Sequence, residues 1–137
     1  MANYVGSARS NYFRVRDEGE FRRWVETLPG VVVDREEDDP NQFVLLVETE
    51  DDGGWPTCRF DEEGDCSDLD LFGELAGHLA PGEVAILEEV GAEKLRYLVG
   101  YAVAVNSRGE RIAVSIDDIY ERAREAGWGE HITSATY

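Results

Sequence analysis

Carboxylates are the residues of this chain that could most readily do chemistry, and they are concentrated in one segment. Between Asp34 and Asp70 the sequence holds fifteen acidic residues and two basic ones. Residues 1–33 carry four acidic and five basic groups, and residues 71–137 carry eleven acidic and six basic groups. The net charge of the whole chain is −17. Such a density of carboxylates could bind a metal ion, transfer protons in catalysis, or present an anionic surface to a cationic partner.

A calcium loop is the first possibility, and the spacing of the candidate ligands does not support it. Counted from Glu48, acidic residues fall at positions 1, 3 and 5 and Gly53 at position 6, but position 12 is Arg59 where an EF-hand needs glutamate. Counted from Asp61, position 12 is a phenylalanine. A loose cation site stays open, but we expect no specific metal site and no cofactor.

Cysteine and histidine offer a second kind of chemistry. Cys58 and Cys66 have seven residues between them in an acidic loop, a spacing that matches no common zinc motif, and in a reducing compartment we expect them to be free thiols. His78 falls on a predicted helix and His131 near the end of the chain, and no third group is indicated that would orient a Cys–His pair. We therefore expect no enzymatic activity. A metal- or thiol-dependent enzyme that uses Cys58, Cys66 and His78 is kept as an alternative.

Composition limits the class of protein. A chain of 137 residues with 42 % hydrophobic residues is long and apolar enough to bury one core. We find no apolar run long enough to span a bilayer and no secretory signal at the N-terminus, so we expect a cytoplasmic protein. The charge of −17 repels phosphates and anionic lipids, which disfavours direct binding to nucleic acid or membrane.

Apolar periodicity predicts three helices and seven strands. The first helix opens with a capping box at Asp17–Glu20, and its apolar face follows the i, i+3, i+4 pattern before Pro29-Gly30 ends it. The second helix is predicted from an Asp68 N-cap to Ala80, and the third, capped by Asp117, over 118–126. The predicted strands are 11–15, 31–34, 42–48, 57–60, 83–90, 94–105 and 111–116, with a loop over 61–67.

These elements predict the fold class. Most strands follow one another through short turns, and the strands over 94–116 should form an antiparallel hairpin around Asn106–Gly109. We predict a single α+β domain over residues 1–137, in which about three helices pack on a mainly antiparallel sheet. Residues 128–137 are expected to be a short tail that frays or adds an edge strand. The protein is expected to be a monomer or a homodimer.

The acidic segment itself has two interpretations. A surface adapted to a salty cytoplasm or a GC-rich genome is rich in Asp and Glu, but it should be acidic on every face. The concentration of charge in one segment favours a local cause, namely carboxylates that replace the phosphates of a nucleic acid in a basic groove. The predicted partner-binding residues are Glu36, Glu37, Asp38, Asp39, Glu50, Asp51, Asp52, Trp55, Asp61, Glu62, Glu63 and Asp65.

Trp55 is included because it lies in the acidic Gly-Pro loop 51–56, where no periodicity requires its burial. Its ring could anchor a partner, as tryptophan often does at interfaces. It could equally fold back over the core as a plug.

Three stretches of this sequence resemble a known class of protein. SNYFRVRDEGEFRRWVETL, GAEKLRYLVGYAVAVNSRGE and the acidic middle look like the small acidic anti-defence proteins of phages and plasmids, some of which mimic DNA. The resemblance implies an inhibitor of a restriction nuclease or a CRISPR-type complex, and hence a basic nucleic-acid-binding protein as partner. An immunity protein that neutralises a basic nuclease toxin is the alternative from the same class of interaction protein.

Overall fold

The structure is a computed structural model and describes residues 4–48, 53–94, 96–128 and 131–135. Its elements follow in the order β1 (Tyr4–Ser10), α1 (Glu18–Glu26), β2 (Val31–Arg35), β3 (Phe43–Val47), β4 (Cys58–Phe60), β5 (Cys66–Asp68), α2 (Leu71–Ala76), β6 (Val84–Glu93), β7 (Tyr97–Asn106), β8 (Arg111–Ser115) and α3 (Asp118–Glu125). Six strands form one sheet in the order β2-β3-β1-β6-β7-β8, and β4 pairs with β5 in a separate hairpin. Every described strand pair is antiparallel. The predicted α+β class is confirmed.

Helix α1 forms where the sequence predicts it. Asp17 is extended, and its side chain accepts a hydrogen bond from the backbone N–H of Glu20, which satisfies one of the free donors of the first turn. Phe21 and Val25, one turn apart, are the buried residues of the helix. They lie against one face of the six-stranded sheet, which we call the inner face.

The core lies between the inner face and the helices. Its fully buried side chains come from α1, the sheet, and the segment around α2: Phe13, Phe21, Leu45, Leu75, Leu79, Leu87 and Val105. The ring of Phe21 lies edge-on to Phe13, with 5.8 Å between ring centroids, and packs against Phe43 at the same distance. Burial of these apolar side chains is the main force that holds α1 and α2 to the sheet.

Several element boundaries differ from the prediction. The first strand is Tyr4–Ser10, and residues 11–15 contribute only the isolated bridges of Phe13 and Val15. Helix α2 begins at Leu71 and ends at Ala76, because Asp70 rather than Asp68 accepts the capping hydrogen bond from Gly73. Part of the predicted loop 61–67 belongs to β5.

The last helix is present but does not pack as predicted. α3 spans Asp118–Glu125 and has no buried residue, and even Ile119 is 61 % exposed. Asp117 precedes it without a side-chain capping bond. The carboxylate of Asp118 instead accepts a hydrogen bond from the backbone N–H of Ser115, at 2.8 Å. Asp118 therefore occupies a donor on the free edge of β8.

The two cysteines form a disulfide, and the prediction of free thiols is wrong. Cys58 lies at the start of β4 and Cys66 at the start of β5, and the pairing of these strands brings the two Cα atoms to 5.7 Å. This separation is within the range that a disulfide spans. The sequence predicted a strand over 57–60 and a loop over 61–67, and therefore neither β5 nor the register that brings the two side chains together.

Replacing both cysteines by serine is expected to lower the free energy of unfolding by about 2.5 kcal/mol, because the bond closes a short loop in the unfolded chain. The bonded residues are 8 positions apart. Urea unfolding of C58S/C66S against the oxidised parent measures the loss. The parent in excess reductant serves as a matched control and should unfold with the variant. Equal stability of oxidised parent and variant would contradict the prediction.

Candidate interaction surfaces

The first acidic turn joins β2 to β3 and is held by its own hydrogen bonds. One carboxylate oxygen of Asp39 accepts from the backbone N–H of Asn41 at 3.1 Å, and the other pairs with the guanidinium of Arg14. Glu37 and Asp38 are exposed. No described basic side chain forms an ion pair with either. Asp39 therefore shapes the turn, and its neighbours present free carboxylates.

The second acidic turn closes the β4–β5 hairpin. Asp61 Oδ1 accepts hydrogen bonds from the backbone N–H groups of Glu63 and Asp65, both at 2.9 Å. The disulfide described above lies at the base of the same turn. Glu62, Glu63 and Asp65 are exposed, and none of them is paired with a basic side chain of the described chain. This turn is tied down by covalent and hydrogen bonds while its charges face solvent.

The two turns lie at opposite ends of α1. Beside the first turn, Arg35 at the end of β2 pairs with Glu18 in the first turn of the helix, at 2.6 Å. Beside the second, Arg59 of β4 donates to the hydroxyl of Thr27, which follows the last helical residue, at 3.2 Å. Helix α1, whose nine residues span about 14 Å along the axis, therefore runs between the two turns. We call these turns, residues 36–39 and 61–65, the two acidic arms.

The structure does not merge the arms into one cluster. The exposed side of α1 between them carries both signs of charge, with Glu20 and Glu26 beside Arg23. Three further predicted partner-binding residues, Glu50, Asp51 and Asp52, lie outside the described residues.

Trp55 is a core plug and does not belong to the exposed acidic surface. Its side chain is 6 % exposed, and its indole N–H donates to the backbone carbonyl of Glu88 at 3.1 Å. Its backbone N–H donates to the carboxylate of Glu89 at 2.8 Å. The ring therefore covers the inner face, as the second of the two interpretations requires.

Glu89 is a buried carboxylate that the sequence did not single out. It is 8 % exposed, and it accepts hydrogen bonds from the hydroxyls of Tyr4 and Tyr101, at 2.8 and 2.9 Å, besides the N–H of Trp55. Burial raises the pKa of Tyr101 well above its usual range, and the hydrogen bond to Glu89 acts in the same direction. These four residues tie β1, β6, β7 and the loop before β4 together, which we call the Glu89 network.

Glu74 forms a second partly buried polar contact. Its carboxylate accepts from the indole N–H of Trp24 at 2.8 Å and from the guanidinium of Arg59 at 2.6 Å. The Arg59 hydrogen bond holds the pKa of Glu74 below its usual value, against the opposing effect of burial. The contact fastens the β4–β5 hairpin to α1 and α2, which fixes the second acidic arm on the body of the domain.

The residues named for the enzyme alternative, Cys58, Cys66 and His78, each have another partner in the structure. His78 stacks on the ring of Trp24, with 4.9 Å between ring centroids, and burial lowers its pKa. The two cysteines are bonded to each other in a disulfide. Within the described residues, no group of three or more His, Cys, Asp and Glu side chains could hold a metal ion.

The outer face of the six-stranded sheet carries a band of exposed apolar residues. Alternate residues of β6 are buried, as at Ala85 and Leu87, so the residues between them face the other way. Cross-strand partners share a face, and the register continues this outer set across β7 to β8. The exposed carboxylate of Glu88, opposite Ala102, lies on the same face. The large exposed apolar members of the face are Val84, Ile86, Val90, Leu98, Ile112, Val114 and Ile116. Alternation in the sequence predicts two faces for each strand but not which face is covered.

Comparison with models of known families, with curated proteins and with solved structures finds no match for this chain. None of the helices in the described segments has the length and apolar content needed to cross a bilayer. The function must therefore be inferred from the surfaces themselves.

Proposed function

We propose that this protein is a non-enzymatic acidic inhibitor whose two acidic arms occupy the basic nucleic-acid-binding groove of a host defence nuclease or CRISPR-type complex. The observation that carries the proposal is that both arms hold exposed carboxylates in fixed turns. Asp39 and Asp61 use their own side chains to fix the turns, and Glu37, Asp38, Glu62 and Glu63 are left to face a partner.

Preorganisation supports this reading over a purely solvating surface. A flexible acidic tail loses conformational freedom when it binds, whereas carboxylates already held by turns and a disulfide lose little. The second arm does not depend on the disulfide alone, since two hydrogen bonds to Asp61 also hold it. It can therefore act in a reducing cytoplasm as well.

The two arms are separate from one another, because one lies near each end of α1. A partner groove would therefore contact them at two points. Two separated anionic arms would follow a phosphate backbone at intervals, and the mixed charges of α1 would lie over the space between them. The complex should form rapidly and weaken steeply with added salt.

The test is a low-salt pull-down from host lysate with elution by a salt gradient, followed by competition with duplex DNA. We expect a basic nuclease or effector subunit that the duplex displaces. A fourfold charge reversal in the arms, E37K/D38K/E62K/E63K, should reduce binding of that subunit by about 100-fold or more, as loss of several charge contacts predicts.

The control reverses four carboxylates away from the arms and gives the same net charge: E93K/D117K/E121K/E125K. It should retain most of the binding. Equal losses in the two variants would show a general charge effect and reject the proposal. If duplex DNA displaces the captured protein, that protein binds the acidic arms through its nucleic-acid groove. A basic toxin that bound through another site would not be displaced by duplex DNA.

A further inference from the structure

We infer that the outer face of β6, β7 and β8 binds an amphipathic helix of a partner protein, and that a lysine or arginine of that helix pairs with Glu88. This interaction is separate from the proposed inhibitor function, because it uses the side of the sheet opposite α1 and α2 and needs neither acidic arm. Two features of the described residues identify the occupant: the shape of the face and the position of its charge.

The outer residues of the three strands form a groove that follows β7. Small side chains of β7 make its floor, and larger side chains of β6 and β8 make its two walls. Two cross-strand rows show the arrangement: Ala104 lies between Ile86 and Ile112, and Ala102 lies between Glu88 and Val114. Both alanines are half-buried, whereas the four wall residues are exposed. The floor continues to Gly100 through a depression of about 280 Å³. We call this surface the β7 groove.

The dimensions of the β7 groove suit one α-helix. Its walls are two strand spacings apart, which corresponds to about 10 Å and is close to the diameter of a helix with its side chains. On the inner face of the same sheet, α1 and α2 cover the apolar residues and bury Phe21 and Leu75 completely. No described helix covers Val90 or Ile112 on the outer face, which are 60 and 73 % exposed. A helix is the element that commonly covers such a sheet face.

Glu88 places a carboxylate in the wall of this apolar groove. It is exposed, and no described side chain donates a hydrogen bond to its carboxylate or forms an ion pair with it. Arg9 is its cross-strand partner on β1, but the guanidinium of Arg9 donates to the backbone carbonyl of Ser10 at 3.1 Å and lies over the ring of Tyr12. A carboxylate without a counter-charge among apolar side chains favours a partner that brings a cation together with apolar groups.

The structure leaves room for a long cationic side chain beside Glu88. Glu88 and Val90 line both the depression over β7 and a second depression of about 300 Å³ over β1. A lysine or arginine stem can therefore approach the carboxylate from either side of the wall. Lys94 and Arg96 lie in the β6–β7 turn, about 20 Å from Glu88 along the strand, and are too far away to neutralise it.

Charge also separates this occupant from the other candidates. A second copy would bring another Glu88 and another net charge of −17 to the same face. Nucleic acids and anionic membranes are repelled by the same charge. Beyond Ile116, Asp117 adds a further exposed carboxylate that forms no ion pair with a described residue. A cationic amphipathic helix is attracted by these charges and buries the apolar walls.

The experiment uses two designed peptides and the full chain. The first peptide has about 18 residues, a helix of about 27 Å, with leucines at i, i+3, i+4 and i+7 and lysines along the border of this stripe. The second has the same composition in a permuted order without a stripe. Fluorescence anisotropy of the labelled peptides measures binding in about 150 mM NaCl, where charges beyond about 8 Å are screened. We expect a dissociation constant of about 1–100 μM for the striped peptide and at least about 10-fold weaker binding of the permuted one.

Glu88→Gln should weaken binding of the striped peptide about 10-fold, because it removes the charge pair and keeps the shape of the side chain. Glu26→Gln is the matched control, since it makes the same change at an exposed position of α1 on the other side of the sheet. It should change the affinity by less than about twofold. Ala102→Leu should also weaken binding about 10-fold, because the larger side chain fills the floor of the β7 groove. Circular dichroism and thermal unfolding confirm that the variants are folded.

Four results would overturn the inference. They are a striped peptide that does not bind, equal binding of the two peptides, a loss for Glu88→Gln no greater than that for Glu26→Gln, and an Ala102→Leu variant that binds like the parent. The target of the acidic arms takes no part in this experiment. The inhibitor proposal and this one therefore succeed or fail separately.

Discussion

Replacing Glu89 by leucine is expected to destabilise the domain by about 3–5 kcal/mol. The substitution removes the common acceptor of two tyrosine hydroxyls and the backbone N–H of Trp55. Loss of the acceptor of a buried or partly buried donor costs about 1–3 kcal/mol for each donor, and the apolar gain of the leucine side chain offsets part of the sum. The loop that carries Trp55 should lose its attachment to the sheet at the same time.

Equilibrium urea unfolding followed by far-ultraviolet circular dichroism measures the change in stability, and tryptophan fluorescence reports on the environment of the indole rings. Glu88→Leu is the matched control, since it makes the same chemical change one residue earlier on the exposed side of β6. It should alter stability by less than about 0.5 kcal/mol, as surface substitutions usually do. If both variants had the same stability, the Glu89 network would not contribute as described.

Phe21→Ala is expected to lower the free energy of unfolding by about 3–5 kcal/mol, the usual range for a fully buried phenylalanine. The ring is completely buried and contacts four other rings, with centroid distances of 5.8 to 6.1 Å to Phe13, Trp24, Phe43 and His78. The cavity would lie between α1 and the sheet. Helix α1 also separates the acidic arms, so its loosening should weaken partner binding.

Phe60→Ala provides the comparison for this variant. Phe60 is 62 % exposed at the end of β4, so its truncation should change stability by less than about 0.5 kcal/mol. Thermal unfolding of the two variants beside the parent distinguishes them. A loss for Phe21→Ala no greater than that for Phe60→Ala would show that the core is not organised around this ring.

Local signals in the sequence predicted those parts of the fold that local physics determines. Asp17 and the i, i+3, i+4 spacing of Phe21 and Val25 specify α1 within a few residues. The β7–β8 hairpin follows from its tight turn and its alternating apolar residues. In both cases the residues that decide the structure are neighbours in the chain.

Features that depend on distant partners were missed. β1 has the sequence YVGSARS, which has little apolar alternation, and it becomes a strand because β3 and β6 pair with its two sides. The disulfide depends on the register of a three-residue strand pair. The predicted N-cap of α2 was Asp68, whereas the capping hydrogen bond from the backbone N–H of Gly73 goes to the side chain of Asp70.

The candidate site, like the fold, has features that the sequence alone reveals and features that depend on distant partners. The sequence identified the acidic turns because fifteen carboxylates in one segment are visible in its composition. It did not identify Glu89, since one of 30 acidic residues becomes distinct only when burial separates it from the others. The sequence left two roles open for Trp55, an anchor for a partner and a plug over the core. In the structure Trp55 is buried and its indole N–H donates to the backbone carbonyl of Glu88, so it has the second role.

The position of β1 in the middle of the sheet has a consequence for the order in which the chain can fold. Tyr4 pairs with Glu93, and Ser10 with Leu87, so β1 lacks one of its two neighbours until β6, which begins more than 70 residues further along the chain, has been synthesised. At about 5–20 residues per second, a ribosome needs roughly 5–18 s to extend the chain from the first of these strands to the second. During translation the amino-terminal half therefore has an open edge along β1, and the high density of negative charge that follows it would help keep nascent chains apart.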